Sequence, residues 1–390
     1  MSVSRGENLP AFGRAMRPLF LLDPEVAYLN HGAYGAPPVE VIEAADAVRR
    51  WMEREPSAFM VREYQPGLRR VAAELATFLN GRAANVALVE NATMGVNAVL
   101  RGFEFAPGDE ILVTDQTYRA VRHAAQYVAA RSGARVVVVK LPFPAHATDA
   151  VFDALAAGLG PQTRLAVLDH ITSPTALLLP IAAMVRMAKA AGALVLVDGA
   201  HAPGMVDIDL EALGADWYTG NCHKWLLAAK GAGFLWAADH VRDRTHPLAI
   251  SHGYGQGLAA EFDWVGTRDA LGQFSLPAAL AFRERFGEAA IRAYNHELVM
   301  RASEMLAAAW GTAVGAAEAL TGSMRCVRLP DAFEATDDAA QALRWRLADE
   351  DKVQVPIRCL DGALWVRLSA QVYNEIGDYE RLRQAVSARL

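Results

Sequence analysis

An α/β protein with a mainly parallel sheet, followed by a smaller α+β domain, is what the sequence predicts. Three observations carry the prediction. Short, almost unbroken apolar runs recur along the first two thirds of the chain. Ala-rich helical stretches lie between many of them. Around Ser275–Pro277 that alternation stops and a long helical region begins. Unbroken apolar runs mark strands buried on both faces, which parallel sheets require, and alternating strand and helix gives a covered α/β sheet.

The strands expected in order are Asn85–Glu90, Glu110–Thr114, Arg135–Lys140, Arg164–Asp169, Ala193–Asp198, Trp217–Thr219 and Gly233–Ala237. Helical spacing places helices over Tyr118–Ser132 and Ile181–Ala191. Beyond the change of texture the sequence predicts a helical region from Ala278 to Ala319 and a strand over Met324–Leu329. A helix over Asp337–Asp349 follows, then a strand pair, Val353–Arg358 and Ala363–Leu368, and a final helix from Tyr379. The expected division is an N-terminal segment 1–30 packing on the small domain, a large domain 31–275 and a small domain 276–390.

The chain has 390 residues, of which 53% are hydrophobic, enough for more than one core. A net charge of -6 with 21% charged residues excludes the basic footprint of a nucleic-acid binder. Cys222, Cys326 and Cys359 form no CxxC pair, as expected in a reducing cytosol. No apolar run approaches the roughly 20 residues of a membrane span, and the N-terminus lacks a signal-peptide core. A soluble cytoplasmic protein is expected.

Five lysines are present: Lys140, Lys189, Lys224, Lys230 and Lys352. Four lie where exposed cations are ordinary. Lys224 lies in GNCHKW, a polar cluster between two apolar strands. Such surroundings suit a lysine that must lose its proton and be held in place, and they also suit a simple turn lysine. Asp198 ends the strand ALVLVD, where α/β proteins bind ligands and where helix-capping aspartates also occur. Together the two match the demands of pyridoxal 5'-phosphate (PLP), which needs an imine-forming lysine and an acid for its pyridine nitrogen. Asn91–Gly95 follows a strand and opens a helix-like run, a turn able to offer N–H groups to a phosphate.

The segments LNHGAYGAPP, VENATMGVNAVL, HITSPTALLLP, LVDGAHAPG, DWYTGNCHKWLLAAKGAGFL and LWVRLSAQVYN resemble the class V aminotransferase superfamily, in that family's order, from about residue 27 to the C-terminus. GNCHKW and WVRLSAQVYN are most similar to its isopenicillin-N epimerase-like branch, which includes C–S lyases and cysteine desulfhydrases. The resemblance implies the fold of type I PLP-dependent transferases, with a seven-stranded sheet. It implies that Lys224 forms the Schiff base and moves the substrate α-proton, that Asp198 meets the pyridine nitrogen, and that His201 approaches the ring. Ala92, Thr93 and Met94 would hold the phosphate, joined by Asn221 and His223. Tyr118 would stack on the ring, and Ser173, beside His170, would meet its 3'-oxygen. Arg367 would bind the substrate carboxylate, a task that suits a planar guanidinium fork. Asn30 and His31 would line the substrate entrance. Gly266 and Thr267 would reach the phosphate of a neighbouring subunit, implying a homodimer with a shared active site. Tyr118 or His31 would be the acid on the second face if the reaction were an epimerisation.

The persulfide chemistry of cysteine desulfurases is not expected, because Cys359 lies in a short segment, IRCLDGALWVR. Three outcomes at the α-carbon remain open: epimerisation or transamination, the expected reading, and loss of a β-substituent by a C–S lyase or cysteine desulfhydrase, the alternative. A PLP-binding protein without turnover is a remote alternative. A nicotinamide enzyme would need a better fingerprint than GYGQG at Gly253–Gly257, and no HExxH or comparable pair supports a zinc hydrolase or any other metal site.

Overall fold

The computed structural model describes residues 9–390, so the first eight residues of the expected N-terminal segment lie outside the described residues. Seven strands form the main sheet: β1 Val86–Val89, β2 Glu110–Thr114, β3 Arg135–Val139, β4 Thr163–Asp169, β5 Leu194–Gly199, β6 Trp217–Asn221 and β7 Gly233–Ala237. Their spatial order is β1-β7-β6-β5-β4-β2-β3. The pairs β3–β2, β2–β4, β4–β5 and β5–β6 are parallel, while β7 runs antiparallel to both β6 and β1.

The apolar runs are buried on both faces, as their composition requires. Leu88, Leu112, Ala166, Leu168, Val195 and Val197 point into one core, packed beneath helices Tyr64–Phe78, Asp149–Gly158 and Ile181–Ala190. Val89, Ile111, Val113, Leu165, Val167 and Leu196 point into a second core beneath helices Ala92–Gly102 and Arg119–Ser132. This period of two is the strand repeat. It has a consequence at the strand ends: Asp169 of β4 and Asp198 of β5, paired in register, extend the second face side by side.

A separate core joins β8 (Met324–Arg328), β9 (Ile357–Leu360) and β10 (Ala363–Ser369), an antiparallel sheet of order β9-β10-β8, to helices Glu288–Trp310, Asp337–Glu350 and Ile376–Ser387. The N-terminal segment shares it. Ala27–Tyr28 pairs in parallel with Val353–Gln354, and Leu29 is buried in the same cluster.

Two expectations are corrected. The helical region Ala278–Ala319 is broken at Gly287, whose φ of 85° no helix accepts, and it ends at Trp310 before the left-handed Gly311. The strand Val353–Arg358 is split at Pro356, which has no N–H to give a ladder, so its halves join different sheets.

Candidate active site

The C-terminal ends of β4, β5 and β6 place Asp169, Asp198 and Asn221 along one edge of the sheet, where α/β proteins gather ligands. His201 follows β5 and Lys224 follows β6, and Lys224 Nζ lies 3.3 Å from His201 Nε2. His201 Nδ1 is a buried atom with no partner among the described residues.

Burial is the main cause that lowers the Lys224 ammonium to about 7, and the nearby Arg367 cation adds to it, against the pull of Asp198. Burial also drives His201 well down, so it stands neutral, with the Lys224 charge as the next cause. Asp198 is pushed up by burial and pulled back by the Ala200 N–H, 3.0 Å from its Oδ1, and by Lys224. Its other oxygen takes no hydrogen bond from any described residue.

The turn of Lys224 is held from three sides. The His31 ring, fully buried, donates from Nε2 to the Lys224 carbonyl at 3.1 Å and accepts the Tyr373 hydroxyl at Nδ1, 2.8 Å. Gly35 approaches so closely that a Cβ there would sit 1.9 Å from the His223 carbonyl. Arg283, fully buried, donates to the carbonyls of Trp225 (2.5 Å) and Gly204 (2.9 Å), clamping the lysine turn to the loop after His201. Glu288 neutralises it with two contacts of 2.6 and 2.5 Å. Arg283→Met should therefore cost about 3 kcal/mol of stability, the low end for breaking a buried pair because Glu288 is 27% exposed, readable by chemical denaturation.

The expected phosphate turn is present as the N-terminus of helix Ala92–Gly102, with its donors partly spent. The Ala92 N–H goes to Asn221 Oδ1 (2.8 Å), and the Met94 N–H goes to Asn91 Oδ1 (3.0 Å). Thr93 keeps its N–H and hydroxyl, and Asn221 keeps its amide N–H groups. His223 donates Nδ1–H to the Ala232 carbonyl at 3.0 Å. What remains is the Nε2 lone pair of a ring that burial lowers to about 4, so it meets a phosphate only by taking up a proton. Ala92, Met94 and His223 are thus weaker phosphate donors than the sequence suggests, because the protein already uses their N–H groups.

Tyr118 is the N-cap of helix Arg119–Ser132, 47% exposed and without a side-chain hydrogen bond, free to cover a ring. Arg367, in β10, is buried and donates through one amino group to the Ser173 carbonyl, while Nε has no partner. Burial lowers it only to about 10, so the cation persists. Ser173 therefore supports Arg367 through its backbone. Asn30 is buried with an unpartnered Oδ1. His31 does not line an entrance: burial lowers it to about 3 and both nitrogens are committed, which also removes it as a second acid. His170 gives Nδ1 to the Tyr218 hydroxyl, 2.9 Å, inside the core. Gly266 and Thr267 lie in a loop tied by Arg268 to Glu90, with Thr267 exposed and making no hydrogen bond to the Lys224 cluster. Cys359 sits on β9 against the Ala335 carbonyl (3.1 Å), not on a mobile loop.

Sequence reasoning missed Asp169, Thr117, Tyr218 and Arg283. Asp169 ends RLAVLD just as Asp198 ends ALVLVD, so its signal was present. Arg283 looked like any helix cation. A groove of about 630 Å³ lined by Leu179, Ile181, Arg186 and Ile208 touches this cluster only at His170. Among the described residues there is no group of metal-ligating side chains and no helix long and apolar enough to cross a membrane.

A buried acid, a part-buried amine of lowered proton affinity and a neutral imidazole thus gather at one sheet edge, where a helix N-terminus with partly spent donors also begins. The aminotransferase class-V family model matches residues 29–344, and the chain belongs to that family of PLP-dependent enzymes. It is 33% identical over 397 residues to an L-cysteine desulfhydrase of Arabidopsis thaliana, covering 93% of this chain and 87% of that protein. It is 34% identical over 385 residues to the isopenicillin N epimerase of Amycolatopsis lactamdurans, covering 94% and 95%. Among solved structures, the cystine C–S lyase C-DES shares the fold at a TM-score of 0.78 and 22% identity, covering 93% of this chain and 97% of that one. The protein is thus a class V PLP enzyme of fold type I acting at an amino-acid α-carbon.

The amine of Lys224 should react as a neutral nucleophile far below the ordinary lysine value of 10.5. Covalent capture of PLP by the apoprotein, fixed with borohydride, should rise with pH and level above about 7, whereas an ordinary lysine would still be rising at pH 9. Capture rate against pH is the measurement.

Proposed function

We propose that this enzyme removes the α-proton of an L-amino acid with Lys224 and expels a β-substituent, as a C–S lyase does. The observation that carries this reading is the one-sided machinery: Lys224 stands 3.3 Å from neutral His201, while His31 is fully committed to the Lys224 carbonyl and Tyr373. Elimination needs one base, whereas epimerisation needs a second acid across the ring.

The residues present fit the cofactor. Asp198 would hold the pyridine nitrogen, Tyr118 would cover the ring, and Thr93 and Asn221 would hold the phosphate. Bound PLP supplies an electron sink for the negative charge that α-proton loss leaves. Arg367 would bind and orient the substrate carboxylate, with Asn30 beside it. Lys224 would take the α-proton at Nζ, the lowered affinity of that amine letting it be neutral near pH 7. His201, uncharged, would lie against the ring without competing for the proton.

In this reading residues 31–275 carry the cofactor, 276–390 form the small domain with residues 9–30 packed on it, and the enzyme is a cytoplasmic homodimer. The exposed Thr267 loop beside Glu90 is where a second subunit would approach. Epimerisation is the second reading, favoured by the near-complete coverage of the Amycolatopsis epimerase and by Tyr118, an exposed phenol without a hydrogen-bond partner among the described residues.

The test uses PLP-loaded protein in deuterated buffer with a panel of L-amino acids that includes cysteine conjugates. Pyruvate and ammonia are expected. A D-isomer deuterated at the α-carbon, with no pyruvate, would replace this reading by the second.

A further inference from the structure

We propose that Asp169 is a positioning residue of the cofactor site: a second buried carboxyl, beside Asp198, that anchors the turn presenting Tyr118. The proposal rests on the assignment of Asp198 and Tyr118 to the cofactor ring.

Three observations place Asp169 there. It ends β4 in register with Asp198 on β5, on the same sheet face, and both side chains are almost wholly buried. Its Oδ2 accepts the Thr117 hydroxyl at 3.0 Å. Thr117 Oγ1 in turn accepts the Thr114 N–H at 3.0 Å, so the hydroxyl bridges β2, the turn and β4. Tyr118 is the next residue, and its own side chain makes no hydrogen bond to any described residue. The orientation of that ring is therefore inherited from the turn that Asp169 holds.

Two carboxyls so placed cannot both ionise in a dry site. Burial, and then the Asp198 charge, push Asp169 well up, while Asp198 has the Ala200 N–H and Lys224 in its favour. Those causes favour the charge on Asp198 over Asp169. A carboxyl that accepts from the Thr117 hydroxyl, with the Tyr118 N–H as a further donor, can be replaced by an amide, whose oxygen takes the same hydroxyl. It cannot be replaced by a methyl group.

The experiment measures the dissociation constant of PLP from apoprotein by equilibrium dialysis, with the thermal midpoint of each apoprotein as the folding control. Asp169→Asn should match wild type within about twofold. Asp169→Ala should bind PLP about tenfold more weakly, as loss of one buried hydrogen bond implies. Thr117→Val removes the same bond from the other side, and the acceptor of the Thr114 N–H with it, and should show a loss at least as large. The double variant Asp169→Ala/Thr117→Val should lose less than the two single losses combined, since both delete the shared Thr117–Asp169 bond. If Asp169→Asn is as weak as Asp169→Ala, if Asp169→Ala and Thr117→Val both bind like wild type, or if the two losses add, the proposal is overturned. If wild-type apoprotein itself takes up no PLP, it is the cofactor assignment that fails, a result separate from these.

Discussion

Lys224→Ala should leave a folded protein to which borohydride fixes no cofactor, and α-proton exchange should fall by about four orders of magnitude. That is the upper end for loss of a general base, chosen because the same amine would also hold the cofactor covalently. The fold should tolerate the change. Lys224 makes one side-chain contact, with His201, and its turn is held by backbone: the Lys224 carbonyl by His31 and the Trp225 carbonyl by Arg283. Removing the amine takes from Asp198 one of the two groups that favour its charge and leaves it the Ala200 N–H, so only a modest loss of stability is expected. The checks are absorbance after borohydride reduction and denaturation, and deuterium exchange at the α-carbon by proton NMR. A variant that still bound cofactor covalently would transfer the role to another lysine. Lys230, exposed on a turn and lowered by partial burial, would be the one to examine next.

The strands were legible because burial on two faces leaves almost no choice of residue. Ile111–Val113 and Val195–Val197 could be little else, and their strand ends fall within a residue or two of the expected ones. The small domain was harder to read because its breaks depend on single residues. Gly287 divides one helix region and Pro356 one strand, and each looks innocuous in a run of sequence. The site divided in the same way. Lys224, Asp198, His201 and Arg367 were legible as candidates from their chemistry at or near strand ends. The hydrogen bonds of His31 and His223 were not legible, because a histidine motif gives no sign of which nitrogens the fold consumes. His31 spends both on Tyr373 and the Lys224 carbonyl, and His223 spends Nδ1 on Ala232. Arg283 was invisible because its partners, the Trp225 and Gly204 carbonyls, are far off in sequence and have no side-chain signature.

Arg367 should separate charge from shape. Its guanidinium is buried, holds the Ser173 carbonyl with one amino group and leaves Nε without a partner, so the binding fork is paid for before substrate arrives. Arg367→Leu should raise KM about a hundredfold, as loss of a buried charged hydrogen-bond partner implies, with a smaller change in kcat. A second effect follows from electrostatics. The Arg367 cation is among the causes that lower both Lys224 and His201. Removing it should raise the proton affinity of Lys224, so the pH midpoint of cofactor capture by the apoprotein should move up from about 7. Arg367→Lys keeps a charge nearby and loses the planar fork, so it should raise KM while holding that midpoint close to wild type. Steady-state kinetics and the capture profile, run on both variants, therefore report two different properties of one side chain. If Arg367→Leu moved neither KM nor the midpoint, Arg367 would be a structural cation bound to Ser173, and the substrate carboxylate would need another partner. If both variants moved the midpoint equally, the effect would come from repacking of β10 against the Ser173 loop, because only one of them removes the charge.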